Sequence, residues 1–298
     1  MIINAAALAG IFAGFSTSFT KGLGSAESLY KRIATVVPSS DAANTYSWMG
    51  QFPSLREWLG DRIVKNLEAN AYTIVNKDFE STVSVPRNAI EDDKYGVFGP
   101  IFEEMGRAAG DHPDELIFSL LGAGRTTDCY DGQYFFDTDH PVIDPETGNE
   151  FSVSNFAAGA GPAWFLLDTS RPLKPMVFQE RRKPQLVSKT DSKDDNVFWN
   201  KEYIYGVDGR WNVGFGLWQM SYASKEDLGS ATYSAARKAM MSFRSDEGRP
   251  LGVKPNLLVV PPALEEAGLK VVNSETLANG ESNPWKGTAE LIVVPWMA

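Results

Sequence analysis

The stretch Gly248-Arg249-Pro250-Leu251-Gly252-Val253-Lys254-Pro255-Asn256-Leu257-Leu258-Val259-Val260-Pro261-Pro262-Ala263-Leu264-Glu265-Glu266 reads as loop, buried strand, abrupt stop and helix. Leu257 to Val260 is a short apolar, partly β-branched run, the composition of a strand covered on both faces. Pro261 and Pro262 have no N–H to extend a ladder, and a proline at the first helical position is already set for a helix over Ala263 to Val271. The segment is a sharply punctuated strand-to-helix junction.

Working outward, a helix from about Asp227 to Phe243 precedes it, with Leu228, Ala235, Ala236, Ala239, Met240 and Phe243 as its buried side. Tyr203 to Tyr222 alternates, placing Trp211, Val213, Phe215 and Leu217 on one face and Trp218, Met220 and Tyr222 on the other. Gly214 and Gly216 inside that run mark a bulge or a close backbone approach. Trp164 to Asp168 and Met176 to Gln179 read as strands flanked by Pro172, Pro175 and Pro184, and Lys189 to Asp195 as a solvated charged loop. Gly124 to Pro162 is rich in turn formers and reads as loops with short strands.

Towards the N-terminus, Pro100 opens a helix with Ile101, Met105 and Ala108 or Ala109 at three- to four-residue spacing, and Leu116, Ile117, Leu120 and Leu121 continue the pattern. At Gly110-Asp111-His112-Pro113 either Asp111 caps a new helix or Pro113 kinks one long one, and one long kinked helix is the expectation. Tyr72 to Asn76 and Phe79 to Val85, separated by Lys77-Asp78, predict a hairpin, which alone is marginal in water and has to pack on a body or a partner. Leu8, Ile11, Phe12, Phe15 and Phe19 form an apolar stripe at helical spacing, to be buried on the chain's own body or on a neighbouring subunit. After Gly22 and Gly24, an extended arm with short helical pieces runs to Pro53.

At 298 residues and 43% hydrophobic content the chain builds one large domain or two intimate ones. A net charge of −10 argues against a dedicated nucleic-acid binder, and Arg181-Arg182-Lys183 is its one tight basic cluster. The single cysteine, Cys129, makes no internal disulfide, which points to folding in a reducing cytoplasm. The apolar start from Met1 lacks the positive residues of a signal peptide, and no run approaches the ~20 apolar residues of a membrane span, so no membrane partner is expected.

The catalytic inventory is thin. His112 and His140 are the only histidines, and no local signature surrounds a Cys129–His140 nucleophile and base. Asp137, Asp139, His140 and Asp144 are hard-metal ligand types at alternating positions, without the glycine and terminal glutamate of a calcium loop; the plainer reading is a turn running into Pro141. Gly159-Ala160-Gly161 and Gly214-Phe215-Gly216 lack the rest of a phosphate cradle. Eight tryptophans and ten tyrosines, spread over the length, read as core and interface anchors before a sugar groove. No catalytic residue, cofactor or metal is therefore expected.

Seven blocks carry a resemblance. They are Trp48-Met49-Gly50-Gln51-Phe52-Pro53 with Arg56-Glu57-Trp58; Phe79-Glu80-Ser81-Thr82-Val83; Ile90-Glu91-Asp92-Asp93; Tyr130-Asp131-Gly132-Gln133 with Phe135-Phe136-Asp137-Thr138-Asp139-His140-Pro141; Trp164-Phe165-Leu166-Leu167-Asp168; Gly214-Phe215-Gly216-Leu217-Trp218-Gln219; and the opening segment. In this order the chain resembles the major head (capsid) proteins of Mu-like tailed phages, which implies an α+β fold of the Hong Kong 97 phage capsid type. The resemblance implies an N-terminal arm over 1–55, an E-loop hairpin over 56–90, a peripheral domain with a spine helix and long strands over 91–225, and an axial domain over 226–298. Trp164 to Gln179 precedes the axial segment instead of following it, which leaves the strand order after residue 160 open.

The resemblance further implies a virion protein, assembled in host cytoplasm, whose copies form pentamers and hexamers of an icosahedral head around double-stranded DNA held without specificity. Scaffold, portal and minor or cementing capsid proteins are its implied partners. Leu8, Ile11, Phe12, Phe15 and Phe19 of the arm, with Ile74 and Phe79 of the hairpin, are the expected inter-subunit contacts. The rival readings are a metal-dependent enzyme built on Asp137, Asp139, His140 and Asp144, and a glycan-binding tail protein.

Overall fold

A computed structural model describes residues 4–47, 49, 72–92, 94–144, 147–245, 250–277 and 279–297. In chain order its main elements begin with α1 (Ala5–Ser25), α2 (Tyr30–Ile33), β1 (Ala34–Pro38), β2 (Ala43–Tyr46), β3 (Tyr72–Val75), β4 (Lys77–Pro86), α3 (Arg87–Glu91) and α4 (Gly99–Gly122). Then follow β5 (His140–Ile143), β6 (Glu150–Val153), β7 (Phe156–Ala157), β8 (Trp164–Leu167), β9 (Met176–Lys189), α5 (Asp195–Asn200) and β10 (Glu202–Phe215). The last are β11 (Ser221–Ser224), α6 (Ser230–Met241), β12 (Leu257–Val260), α7 (Glu265–Val272) and β13 (Glu290–Val293).

Two sheets organise these elements. The first has the order β1-β9-β10-β4, with β1 parallel to β9 and the 14-residue strands β9 and β10 antiparallel. Pro184, lacking an N–H, falls where the β9–β10 register shifts between Asp208 and Arg210, so the long ladder bulges there instead of breaking. The second has the order β13-β12-β8-β11-β7. In it β12 lies between β13 and β8 with all four residues buried, and Pro262 opens a short turn of helix leading into α7. The strand-to-helix junction is thus as expected, and the open strand order is resolved. The chain enters the second sheet at β7 and β8, leaves it for β9 and β10, and returns at β11. A boundary after residue 225 therefore cuts through one sheet, because β8 and β12 are hydrogen-bonded neighbours.

The long helix is present: α4 runs 24 residues through Pro113. Asp114, fully buried on it, starts no new helix; its carboxylate accepts the backbone N–H groups of Leu29 (2.9 Å) and Tyr30 (2.6 Å) and so caps α2. Asn4 caps α1, accepting the Ala7 N–H at 2.8 Å. Gly22 does not end α1 but lies within it, where a Cβ would stand 1.8 Å from Glu103 O, and a Cβ on Gly106 would stand 2.0 Å from Phe19 O. Glycine at both positions lets the two helix backbones touch. On α6, Tyr233 is buried and Ala235 exposed, a one-face correction to the expected stripe.

The predicted β3–β4 hairpin does not form. Tyr46 pairs with Tyr72 and Ala43 with Val75, so β3 belongs with β2, while β4 pairs with β10 from Lys77↔Trp211 to Glu202↔Pro86. The turn between the two pairings is Asn76, whose buried side-chain amide donates to Ser39 Oγ (2.9 Å) and Asp41 O (2.8 Å) and passes the chain from one sheet to the other. Among the described residues, no helix is long and apolar enough to cross a membrane.

Candidate functional site

The arm stripe divides along its length. Ile11, Phe15 and Phe19 are buried in a cluster with Phe102, Met105 and Tyr205, and the Phe15 and Phe102 rings stack at 4.1 Å. Ile74 is buried against Val177 and Tyr46. The chain's own core, and not an open surface, takes up these four side chains. Leu8 and Phe12 are half-buried, as is Phe79, which lies 4.4 Å from the His112 ring and 5.3 Å from that of Trp211.

The side chains the structure does leave open lie elsewhere. Phe198 and Trp199 are 67% and 74% exposed and meet edge to face at 4.8 Å. Their short helix α5 is firmly fixed. Val197 is buried, Asn196 Nδ2 donates to Lys189 O (3.1 Å) and Glu202 O (2.7 Å), and Lys201 closes the turn at φ 56°. Lys201 is the one non-glycine with positive φ among the described residues, and such conformations persist where surrounding structure enforces them. Lys189 to Asp195, expected as a solvated loop, runs into this aromatic pair, which no periodic pattern in the sequence marks. The β5–β6 hairpin exposes Ile143 and Phe151, and β3 exposes Val75.

The four residues of the rival metal reading, Asp137, Asp139, His140 and Asp144, do not converge on one point. Asp139 is exposed, Asp137 accepts the Thr138 N–H at 2.8 Å and faces Arg125 at 3.5 Å, and the Asp144 backbone closes a turn with Gly148. The groups that do meet are Cys129, Asp131 and His140. His140 Nδ1 lies 2.7 Å from Asp131 Oδ2, the Cys129 thiol donates to Asp131 Oδ1 at 3.0 Å, and the His140 ring lies flat on Trp218 at 4.0 Å. Their donor atoms are engaged with one another. Burial, with the nearby Asp131 charge, pushes the Cys129 thiol far up, so it stays protonated and is no nucleophile. Burial raises the Asp131 carboxyl, but hydrogen bonds from His140 and Cys129 outweigh it and hold the group below its ordinary value. His112 is no better placed: its Nδ1 accepts the Trp211 Nε1–H at 3.2 Å, and burial pushes the ring's pKa below the ordinary imidazole value.

The glycine-rich stretches serve packing. A Cβ on Gly159 would stand 2.1 Å from Lys225 O, and one on Gly216 2.5 Å from Lys174 O. The Trp48 to Trp58 block lies outside the described residues except for the buried Met49.

A fixed α+β body with apolar side chains standing off it has relatives of known role. Residues 8–297 match the family described as Mu-like prophage major head subunit gpT. The chain is 44% identical to the major capsid protein of Escherichia phage Mu over a 305-residue alignment covering all of both proteins. Among solved structures it resembles the procapsid chain of bacteriophage JBD30, with TM-score 0.89 and 49% identity over 99% of this chain and 100% of that one. It also resembles the JBD30 capsid decorated with minor capsid protein trimers, with TM-score 0.78 and 36% identity over 94% of each chain.

Proposed function

Because the chain belongs to the Mu-like prophage major head subunit family, a family of phage capsid proteins with the Hong Kong 97 fold, we propose that its copies close into pentamers and hexamers of an icosahedral head. Its role in the virion is structural, and the enzyme reading is not supported. The observation that carries the proposal is identity to the Mu capsid protein along the whole length, together with likeness to chains taken from assembled JBD30 particles.

In this reading the E-loop lies within 56–90, whose described part, 72–90, holds β3, β4 and most of α3. The spine is α4, the peripheral body is the four-stranded sheet, and the axial body is the five-stranded sheet with α6 and α7. Leu8, Phe12 and Phe79, half-open, remain contact candidates beside Phe198 and Trp199. Double-stranded DNA is enclosed without specific grip, in keeping with the charge of −10. Scaffold and portal act during assembly in host cytoplasm, and minor capsid proteins bind the exterior, as trimers do on the JBD30 capsid. Purified protein examined by sizing and negative-stain microscopy tests this: rings, sheets or shells are expected, and a persistent monomer of 32.7 kDa would overturn it.

A further inference from the structure

Cys129, Asp131 and His140 bring a thiol sulfur, a carboxylate oxygen and an imidazole nitrogen within 4.8 Å of one another. The buried thiol and the buried ring come from different pieces of chain, Cys129 from the turn that closes on Gln133 and His140 from the first position of β5. Asp131 stands between them, with Oδ1 3.0 Å from Cys129 Sγ and Oδ2 2.7 Å from His140 Nδ1. Two donors held at about 2.0–2.3 Å from one zinc ion are at most about 4.4 Å apart. An ion entering between these groups therefore replaces two hydrogen bonds and asks for side-chain shifts of about 1 Å or less.

The surroundings orient the ring as a ligand. His140 lies flat on Trp218 at 4.0 Å, and its far nitrogen, Nε2, is 3.3 Å from Asn155 Oδ1. Asn155 is fully buried with its Nδ2 donating to Phe135 O at 2.8 Å, which fixes the amide oxygen towards the ring. A metal-bound histidine gives its other N–H to such an acceptor, leaving the near nitrogen's lone pair for the ion. The Gln133 N–H donates to Asp131 Oδ1 at 3.1 Å and steadies the carboxylate. Among the described residues no lysine or arginine pairs with Asp131.

We propose that Cys129, Asp131 and His140 form a structural zinc site, with Cys129 Sγ, His140 Nδ1 and the Asp131 carboxylate as its ligands. Both carboxylate oxygens face the cluster, so a bidentate Asp131 completes four donors without a water. Thiolate and imidazole together select zinc over magnesium or calcium, which take oxygen ligands. The thiol, protonated while the ion is absent, releases its proton to solvent as the sulfur–zinc bond forms, and zinc keeps its oxidation state. A thiolate, a carboxylate, a neutral ring and a divalent ion sum to zero, which suits a site closed off from water. The ion fastens the Cys129 turn to β5, whose only strand partner is β6 in a separate two-stranded sheet. The spacing of the three residues matches no zinc-finger pattern, which hides the site from sequence.

Because Cys129 is the only cysteine, cobalt in place of zinc reads the site without any substitution. Untagged full-length protein is expected to carry zinc through a chelator-free purification, or to take it up from added zinc with a dissociation constant below about 1 μM. Loaded with cobalt instead, it is expected to show the near-ultraviolet charge-transfer band of a thiolate–cobalt bond. A chain that takes up no zinc overturns the proposal, and so does bound cobalt without that band, since the metal then lies away from Cys129. Cys129→Ser and His140→Gln are each expected to weaken zinc uptake by about a hundredfold or more, and uptake unchanged in either overturns the ligand set. Should those variants not fold, the unaltered chain decides by stability. Zinc is expected to raise its melting midpoint over that in chelator and to slow hydrogen exchange across 129–143 in particular, whereas identical behaviour in zinc and chelator would leave a hydrogen-bonded triad without a metal and overturn the site.

Discussion

Gln179 shows how much one buried amide organises. Its Oε1 accepts the Tyr46 hydroxyl at 2.8 Å, and its Nε2 donates to Ile74 O (3.0 Å) and Asn76 Oδ1 (2.8 Å), which ties the β2–β3 pair to the long strand β9. Gln179→Ala removes one hydrogen bond from each of three buried groups, and the expected loss is about 2–4 kcal/mol, read as a lower denaturation midpoint with faster hydrogen exchange in β2 and β3. Asp131 gives a second expectation, with its sign fixed by a folded value below the unfolded one. Its stabilisation is present above the ordinary carboxylate range and lost as pH falls through the folded value, so the melting gap between the unaltered protein and Asp131→Asn narrows in acid. Neither role was legible beforehand. Gln179 reads as the last residue of an apolar strand, and Asp131 meets His140 through a turn of nine residues that carries no periodic signal. What sequence did expose was the negative result, because two histidines and one cysteine leave little to build a reaction from.

At the scale of elements, strong periodicity was legible and partnership was not. The Leu257–Val260 strand, the long helix through Pro113 and the stripe on α1 all follow from local pattern, since a strand buried on both faces or a helix with one apolar face leaves its mark on every second or every third to fourth residue. Which strand β3 pairs with depends on residues far apart, and proximity alone favoured the wrong choice. The α1–α4 contact rests on Gly22, where the sequence pattern suggests a helix end, and on Gly106, which local pattern does not mark. Gly106→Val forces the backbones apart against a Phe19 carbonyl, with an expected cost of about 1–3 kcal/mol or more by denaturant titration. Removing α1 uncovers Phe102, Met105 and Tyr205, so a truncated chain is expected to melt lower and to bind a hydrophobic dye, as well as failing to assemble. An unchanged melting curve would show that α1 is a detachable arm after all.

For the whole molecule, the informative quantity is what folding leaves uncovered. A lone subunit gains nothing from holding Phe198 and Trp199 in water on a helix whose buried Val197, bonded Asn196 and left-handed Lys201 prevent the rings from folding back. A shell of identical copies gives such side chains something to meet, and tryptophan is among the residues that most often dominate contact energy. The assembly reading therefore predicts a separation of effects for the double substitution Phe198→Ser with Trp199→Ser. Both side chains are more than half exposed, so stability of the subunit is expected to change by no more than about 0.5 kcal/mol. Assembly is expected to weaken by about 2 kcal/mol or more per contact, seen as a rise of at least about thirtyfold in the concentration at which shells appear by light scattering. Shells forming at the original concentration would place the aromatic pair outside the contacts between copies. A fall in subunit stability as large as the loss of assembly would instead make α5 part of the body, and the half-buried Leu8, Phe12 and Phe79 would then be the surfaces to alter next.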